Sequence, residues 1–101
     1  MKREEPIVSI GLPVYNGENY LRHALESLTG QTWEGGFFSG LEIVISDNCS
    51  TDGTEAICRE FAANDARVIY HRQDVNIGAG PNYNFVFHHS RGRYFKWAAH
   101  D

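Results

Sequence analysis

Residues 41–61, LEIVISDNCSTDGTEAICREF, contain the patterns that decide the fold. A compact, mainly apolar run at residues 41–45 is followed by a polar cluster, after which apolar residues recur at helical spacing. The segment therefore predicts a strand, a loop and a helix, with Asp47 just beyond the strand. Because ligands of open α/β sheets bind beyond the carboxyl ends of the strands, Asp47 is a candidate ligand contact.

The same alternation of strand and helix extends along the chain. Strands are predicted at residues 7–12, 41–45, 67–71 and 94–99, and helices are predicted to follow Asn16, Asp52 and Gly80 and to end near Leu28, Asn64 and Arg91. Asn16 and Asp52 are the expected helix caps. The Gly-rich and aromatic residues 30–40 are expected to form a flexible loop. The pattern predicts an α/β fold with a Rossmann-like, mostly parallel sheet and alternating helices.

Composition limits the class of protein. The 101 residues fit one small domain, and a net charge of −4 argues against nucleic acid as the main partner. No apolar run reaches the roughly 20 residues of a membrane span, and the N-terminus lacks the apolar core of a signal peptide. We therefore expect a cytoplasmic protein without a membrane span, whose Cys49 and Cys58 are reduced and structural.

One edge of the predicted sheet collects the residues suited to ligand binding. The loops at residues 13–16, 47–52 and 100–101 follow successive strands, so they are expected to converge there. Their carboxylates can accept hydrogen bonds from a base or a ribose, and two or more of them attract a hard divalent cation. The ring of Tyr15 can stack on a base. Asp52 is expected to act mainly as a helix cap.

Dinucleotide and P-loop sites are disfavoured. Gly78 and Gly80 form a GxG pattern, but the segment lacks the third glycine of a dinucleotide fingerprint and the basic residue of a Walker loop. Alone, these two glycines indicate a permissive loop. A flavodoxin-like domain is disfavoured for the same reason, because the phosphate loop is missing.

Four ordered motifs resemble a known family. VSIGLPVYNGENYLRHALESLTGQT, LEIVISDNCSTDGT, NIGAGPNYN and RGRYFKWAAHD together span nearly the whole chain. In this order they resemble the N-terminal, nucleotide-binding half of family 2 glycosyltransferases of the GT-A fold. Several motifs matching in sequence are specific for the family, whereas no single one would be sufficient.

The resemblance implies a nucleotide-sugar site. Pro13, Val14 and Tyr15 would border the base, and Asp47 would contact it. Asp101 is similar to an acid of the DxD-type motif, whose acids hold the ribose and a Mn²⁺ or Mg²⁺ ion on the diphosphate. The metal would offset the charge that develops on the departing nucleoside diphosphate.

The expected function also follows from the resemblance. The full-length enzyme would move a sugar, with a UDP-linked donor favoured, to a hydroxyl of a glycan, lipid or other acceptor by direct, inverting displacement. In inverting members the general base and most of the acceptor site come from the later half. Residues 1–101 are thus expected to bind the donor, to contain no catalytic residue and to be inactive alone. The alternative is a non-catalytic nucleotide-binding or assembly module that uses the same edge.

The C-terminal region suggests a truncated domain. The chain stops two residues after the predicted last strand, so the acceptor half is expected to be missing. If later strands normally cover this edge, their absence would leave Tyr94, Phe95 and Trp97 exposed. An exposed strand edge favours pairing between copies, and we expect a dimer or larger species.

Overall fold

The computed structural model describes residues 6–30, 32–33, 36–37 and 40–98. The elements in chain order are β1 (Val8–Val14), α1 (Glu18–Thr29), β2 (Thr32–Trp33), β3 (Gly36–Phe37), β4 (Leu41–Asp47), α2 (Thr54–Asn64), β5 (Val68–Arg72), α3 (Ala79–His88) and β6 (Tyr94–Trp97). The predicted alternation of strands and helices is confirmed. The predicted loop at residues 30–40 instead contains β2 and β3, which pair antiparallel.

The main sheet has the order β5-β4-β1-β6, and its strand pairs are all parallel. This confirms the predicted α/β class. The chain proceeds from β1 to β4 to β5 and then crosses to the other side of β1, so the winding direction changes between β1 and β6. Such a change creates a crevice at the carboxyl ends of the strands. Val14 and Asp47, the last residues of β1 and β4, lie side by side in register at this edge.

The core lies between the sheet and the helices α1 and α2. Side chains that point to one face of a strand occur at every second residue, and β1 and β4 both follow this rule. The buried core residues are Ile10, Leu12, Val14, Leu21, Leu25, Leu41, Ile43, Ile45, Cys58 and Val68. Both cysteines are free, and burial raises the pKa of the Cys58 thiol to about 12, which keeps it protonated and unreactive at neutral pH.

The opposite face of the sheet is covered by α3 through a narrow stripe. The sequence predicts that Tyr83, Val86 and Phe87 form the apolar face of this helix, but only Val86 is buried, while Tyr83 and Phe87 are 41% and 53% exposed. Asn82 and Val86 are the buried residues, and residues four apart share a helix face. The prediction is confirmed for Val86 and is wrong for Tyr83 and Phe87, because the second buried position of α3 holds the polar side chain of Asn82.

A buried acid anchors the start of β6. Glu42 is 2% exposed and accepts hydrogen bonds from the Ser9 hydroxyl at 2.6 Å and the Arg91 backbone N–H at 2.7 Å. The Ser9 oxygen in turn accepts the Gly92 N–H at 2.7 Å. Because a buried carboxylate needs such partners, these bonds attach the α3–β6 turn to β1 and β4. None of the described helices is long and apolar enough to cross a membrane.

Candidate functional site

A cleft of about 340 Å³ opens at the carboxyl ends of β1 and β4, beside the N-terminus of α3. Its lining residues are Pro13, Val14, Tyr15, Tyr20, Asn48, Asn76, Ala79, Asn82 and Tyr83. Ligands of open α/β sheets bind at this edge. The cleft therefore lies where the sequence predicts a site.

The turn after β1 forms one wall of the cleft. Pro13, Val14 and Tyr15, three of the predicted site residues, all line it. The Val14 carbonyl accepts the Asn48 N–H at 2.9 Å, which joins the ends of β1 and β4. Tyr15 is 49% exposed, so its ring offers an aromatic surface for stacking.

Asp47, the last residue of β4, is not among the residues that line the cleft. Its side chain is fully buried, with Oδ1 accepting the Ser50 N–H at 2.9 Å. Oδ2 accepts the Tyr70 hydroxyl at 2.6 Å and Arg72 Nη1 at 3.2 Å. Burial raises the pKa of Tyr70 above its usual range, and the hydrogen bond from Tyr70 to Asp47 raises it further. Internal donors thus compensate the carboxylate, and the predicted contact between Asp47 and a base stays a prediction.

The loop before α3 forms a second wall that sequence reasoning missed. Asn48 Nδ2 donates to Asn76 Oδ1 at 3.0 Å and to the Gly78 carbonyl at 3.3 Å, while Asn48 Oδ1 accepts the Ile77 N–H at 2.8 Å. Gly78 has φ +89°, which glycine adopts without steric cost. Asn76, two residues before this glycine, was the available signal, since asparagine side chains stabilise turns by binding nearby backbone, and its Oδ1 accepts the Gly78 N–H at 2.8 Å.

Asn82 attaches α3 to the end of β4. It is 3% exposed, its Oδ1 accepts the Ser46 hydroxyl at 2.6 Å, and its Nδ2 donates to the Ser46 carbonyl at 3.1 Å. Gln73 Nε2 also donates to the Ser46 hydroxyl, at 3.0 Å. This anchor places Tyr83 at the cleft, where its ring lies 5.2 Å from that of Trp97.

The turns after β1 and β4 are bonded to each other. The N–H of Asn16 donates to Ser50 Oγ, and the N–H of Gly17 donates to Thr54 Oγ1, both at 2.8 Å. In return, Asn16 Oδ1 accepts the Thr51 N–H at 2.8 Å. The prediction that Asn16 caps α1 is therefore wrong. The cap position is Gly17, and Asn16 binds across to the other turn.

Asp52 connects the first turns of α1 and α2. Its Oδ2 accepts the Glu18 N–H at 3.2 Å and its Oδ1 accepts the Thr54 N–H at 2.9 Å, while Glu18 Oε1 accepts the Gly53 N–H at 3.1 Å. Burial alone would raise the pKa of Asp52, but hydrogen bonds from Thr54 and Glu18 lower it overall. The cap position of α2 is Gly53 rather than the predicted Asp52, although Asp52 does bind helix N–H groups.

The predicted metal contact falls on Asp101, which lies outside the described residues together with His100. Within residues 6–30, 32–33, 36–37 and 40–98, no group of three or more His, Cys, Asp or Glu side chains is placed to hold an ion. The prediction of Mn²⁺ or Mg²⁺ binding therefore depends on Asp101.

The fold and the cleft define an α/β protein with a cleft at the carboxyl edge of a parallel sheet. The family model described as Glycosyl transferase family 2 matches residues 9–101, and the chain belongs to this family. An uncharacterized glycosyltransferase, RT0329, of Rickettsia typhi (strain ATCC VR-144 / Wilmington) is 35% identical over 96 residues, which cover 95% of this chain and 27% of the relative.

Solved structures agree with this assignment. The crystal structure of S. aureus TarS 1-349 in complex with UDP-GlcNAc superposes with a TM-score of 0.78 at 26% identity, over 90% of this chain and 25% of that chain. The mannosyltransferase PcManGT from Pyrobaculum calidifontis, in complex with GDP-Man and Mn²⁺, has the same fold, with a TM-score of 0.74 at 23% identity over 97% of this chain and 30% of that chain. The chain thus spans about a quarter of the length of the TarS structure and of the Rickettsia relative.

Proposed function

We propose that the whole protein transfers a sugar from a nucleoside diphosphate donor to an acceptor hydroxyl, and that residues 1–101 supply the donor-binding part of a GT-A domain. The cleft beside Tyr15 is the observation that carries this proposal, because it combines an exposed aromatic ring with amide side chains at the ligand edge of the sheet. The match to TarS, whose structure contains UDP-GlcNAc, supports a UDP-linked donor.

We assign the base to the wall formed by Pro13, Val14 and Tyr15, with the Tyr15 ring stacked on it. Asp47 belongs to the same site in this proposal. Its carboxylate is fully buried, so a direct contact with a base requires Oδ2 to exchange a hydrogen bond from Tyr70 or Arg72 for one from the base.

The diphosphate end of the donor is assigned to Asp101. Its carboxylate is a ligand type that Mn²⁺ and Mg²⁺ accept, and the PcManGT structure contains Mn²⁺. A bound ion would stabilise negative charge on the leaving diphosphate.

Sugar transfer needs a group that accepts the proton of the attacking hydroxyl, and this group must lie within hydrogen-bond reach. Among the described residues that line the cleft there is no Asp, Glu or His. We propose that the displacement is inverting and that its base lies outside residues 1–101. Incubating the chain with UDP-GlcNAc and Mn²⁺ should produce no UDP; measurable UDP release would contradict this placement.

Calorimetric titration tests the donor site. UDP and GDP are titrated into the chain with and without Mn²⁺, and UDP is expected to bind more tightly than GDP. Tyr15→Ala should weaken binding by roughly 5-fold to 150-fold, the loss expected for one base–aromatic stacking contact of about 1–3 kcal/mol. Tyr94→Ala removes an exposed tyrosine that does not line the cleft and serves as the matched control. Equal affinities for the native chain and Tyr15→Ala would refute the assignment.

We also propose that copies of this chain associate through β6. Among the described strands, β6 pairs only with β1, and its Tyr94 and Trp97 side chains are 63% and 43% exposed. Phe95 packs edge-on against Trp97 with ring centroids 4.7 Å apart. An aromatic strand with one open edge is suited to pairing with another strand.

A further inference from the structure

Side chains of the turn after β4 and of the first residue of α2 bind the N–H groups at the entry to α1. The first N–H groups of a helix have no partner within the helix and commonly bind anions such as phosphate. Here Ser50, Thr54 and Asp52 accept the N–H groups of three successive residues, Asn16, Gly17 and Glu18. These three N–H groups are therefore not available to a diphosphate, and their hydrogen bonds serve another purpose.

The hydroxyl groups in this set cannot reach a ligand directly. Thr54 is fully buried and Ser50 is 4% exposed, and neither lines the cleft. Their influence on the cleft must pass through the turn that they bind. The residue directly before Asn16 in that turn is Tyr15. Tyr15 is 49% exposed and lines the cleft.

The backbone of this turn needs support. Asn16 has φ +50°, a left-handed conformation that is uncommon outside glycine, although asparagine tolerates it. The bonds from Asn16 N–H to Ser50 Oγ and from Thr51 N–H to Asn16 Oδ1 hold this conformation on both sides. Without the Ser50 bond, the N–H of the peptide between Tyr15 and Asn16 loses this acceptor, and we expect the Tyr15 ring to be held less firmly.

We propose that Ser50 and Thr54 are positioning residues for the nucleotide, which hold the Tyr15 ring in the orientation that stacks on the base. The inference rests on the proposed function. Its physical content is preorganisation: the cost of ordering the turn is met during folding, so it does not reduce the affinity for the ligand.

Thr54→Val tests this role because valine keeps the shape of threonine and removes the oxygen that accepts the Gly17 N–H. UDP affinity measured by calorimetry should fall by about 2-fold to 10-fold, the loss expected when one side chain must be ordered on binding and not during folding. Thr54→Ser restores the hydroxyl and should recover most of the affinity. Ser50→Ala, which removes the acceptor for Asn16, should act in the same direction and provides a second variant if Thr54→Val does not fold.

Thr29→Val is the matched control. The Thr29 hydroxyl donates to the Leu25 carbonyl at 2.7 Å at the far end of α1, so this variant also loses one hydrogen bond between a threonine hydroxyl and the backbone, away from the cleft. Its UDP affinity should equal that of the native chain. Equal losses for Thr29→Val and Thr54→Val would show a general effect of destabilisation and would overturn the positioning role.

Amide hydrogen exchange separates this proposal from the donor-site proposal, because it needs no ligand. The Asn16 and Gly17 amides should exchange at least about ten times faster in Thr54→Val than in Thr29→Val, since an opened hydrogen bond exposes its N–H to water. Unchanged exchange overturns the inference. Faster exchange with unchanged UDP affinity also overturns it, since the bonds would then be structural only. Absence of UDP binding by the native chain refutes the donor site, and the positioning role with it, whatever the exchange rates.

Discussion

Asp47→Asn should destabilise this protein strongly, because the buried carboxylate accepts hydrogen bonds that asparagine cannot fully replace. Asparagine keeps an oxygen for the Ser50 N–H, now at 2.9 Å from Oδ1. It places an NH₂ group where Oδ2 accepts the Tyr70 hydroxyl at 2.6 Å and Arg72 Nη1 at 3.2 Å. The two donors on β5 would then face a third donor.

The expected loss in the free energy of unfolding is about 2–3 kcal/mol, because a hydrogen bond to a charged group contributes roughly 1.5–3 kcal/mol. The total free energy of unfolding of a small domain is about 5–15 kcal/mol. For a domain of roughly 100 residues, each kcal/mol moves Tm by about 4–8 °C, so Tm should fall by roughly 8–24 °C.

Urea unfolding followed by circular dichroism measures this loss directly. Asp74→Asn makes the same chemical change at an exposed position and should stay within about 0.5 kcal/mol of the native value. A double-mutant cycle with Tyr70→Phe should give a coupling of at least about 1 kcal/mol, since the two residues share a hydrogen bond. Additive effects, or a loss at Asp47 as small as that at Asp74, would refute the account of the buried carboxylate.

Two further outcomes are expected. Hydrogen bonds from Arg67 hold the pKa of Asp65 below its ordinary value of 3.8. The stabilisation of the folded state by these bonds is therefore fully present above pH 3.8 and is lost as the pH falls through the lower folded-state pKa. Asp65→Asn should flatten the acid limb of a stability–pH curve measured by urea unfolding, and an unchanged limb would contradict this. Light scattering at micromolar concentrations should give a mass above the 11.4 kDa of one chain, reduced towards that value by Trp97→Lys; a mass of 11.4 kDa throughout for the native chain would rule out association through β6.

The order and type of the main elements were predictable from the sequence, because the signals are local. The apolar run that became β4 and the helical spacing of Leu21 and Leu25 depend only on neighbouring residues. Parallel strands then place their carboxyl ends at one edge, which is why Pro13, Val14 and Tyr15 line one cleft there, while their contact with a nucleotide stays a prediction.

The helix caps show where local reasoning failed. Asn16 and Asp52 have the side chains that cap helices in isolation. Asp52 does accept the Thr54 N–H of its own helix, but both side chains also bind across to the turn of the other. The partners across the turns lie 35 and 34 positions away in the chain. A cap rule that compares residues three or four positions apart does not include such partners, so the predicted caps were one residue early.

The stretch at residues 41–61 thus determined, by its own pattern, a strand, a polar turn and a helix at the ligand edge of an α/β sheet. Only the tertiary structure decided what each polar side chain in it does. Asp47 accepts a hydrogen bond from Tyr70, which lies 23 positions later in the chain. Asn48 instead lines the cleft and donates a hydrogen bond to Asn76 in the loop before α3. Hydrogen-bond partners for buried polar groups come from segments that the fold brings together, and sequence spacing alone does not contain that information.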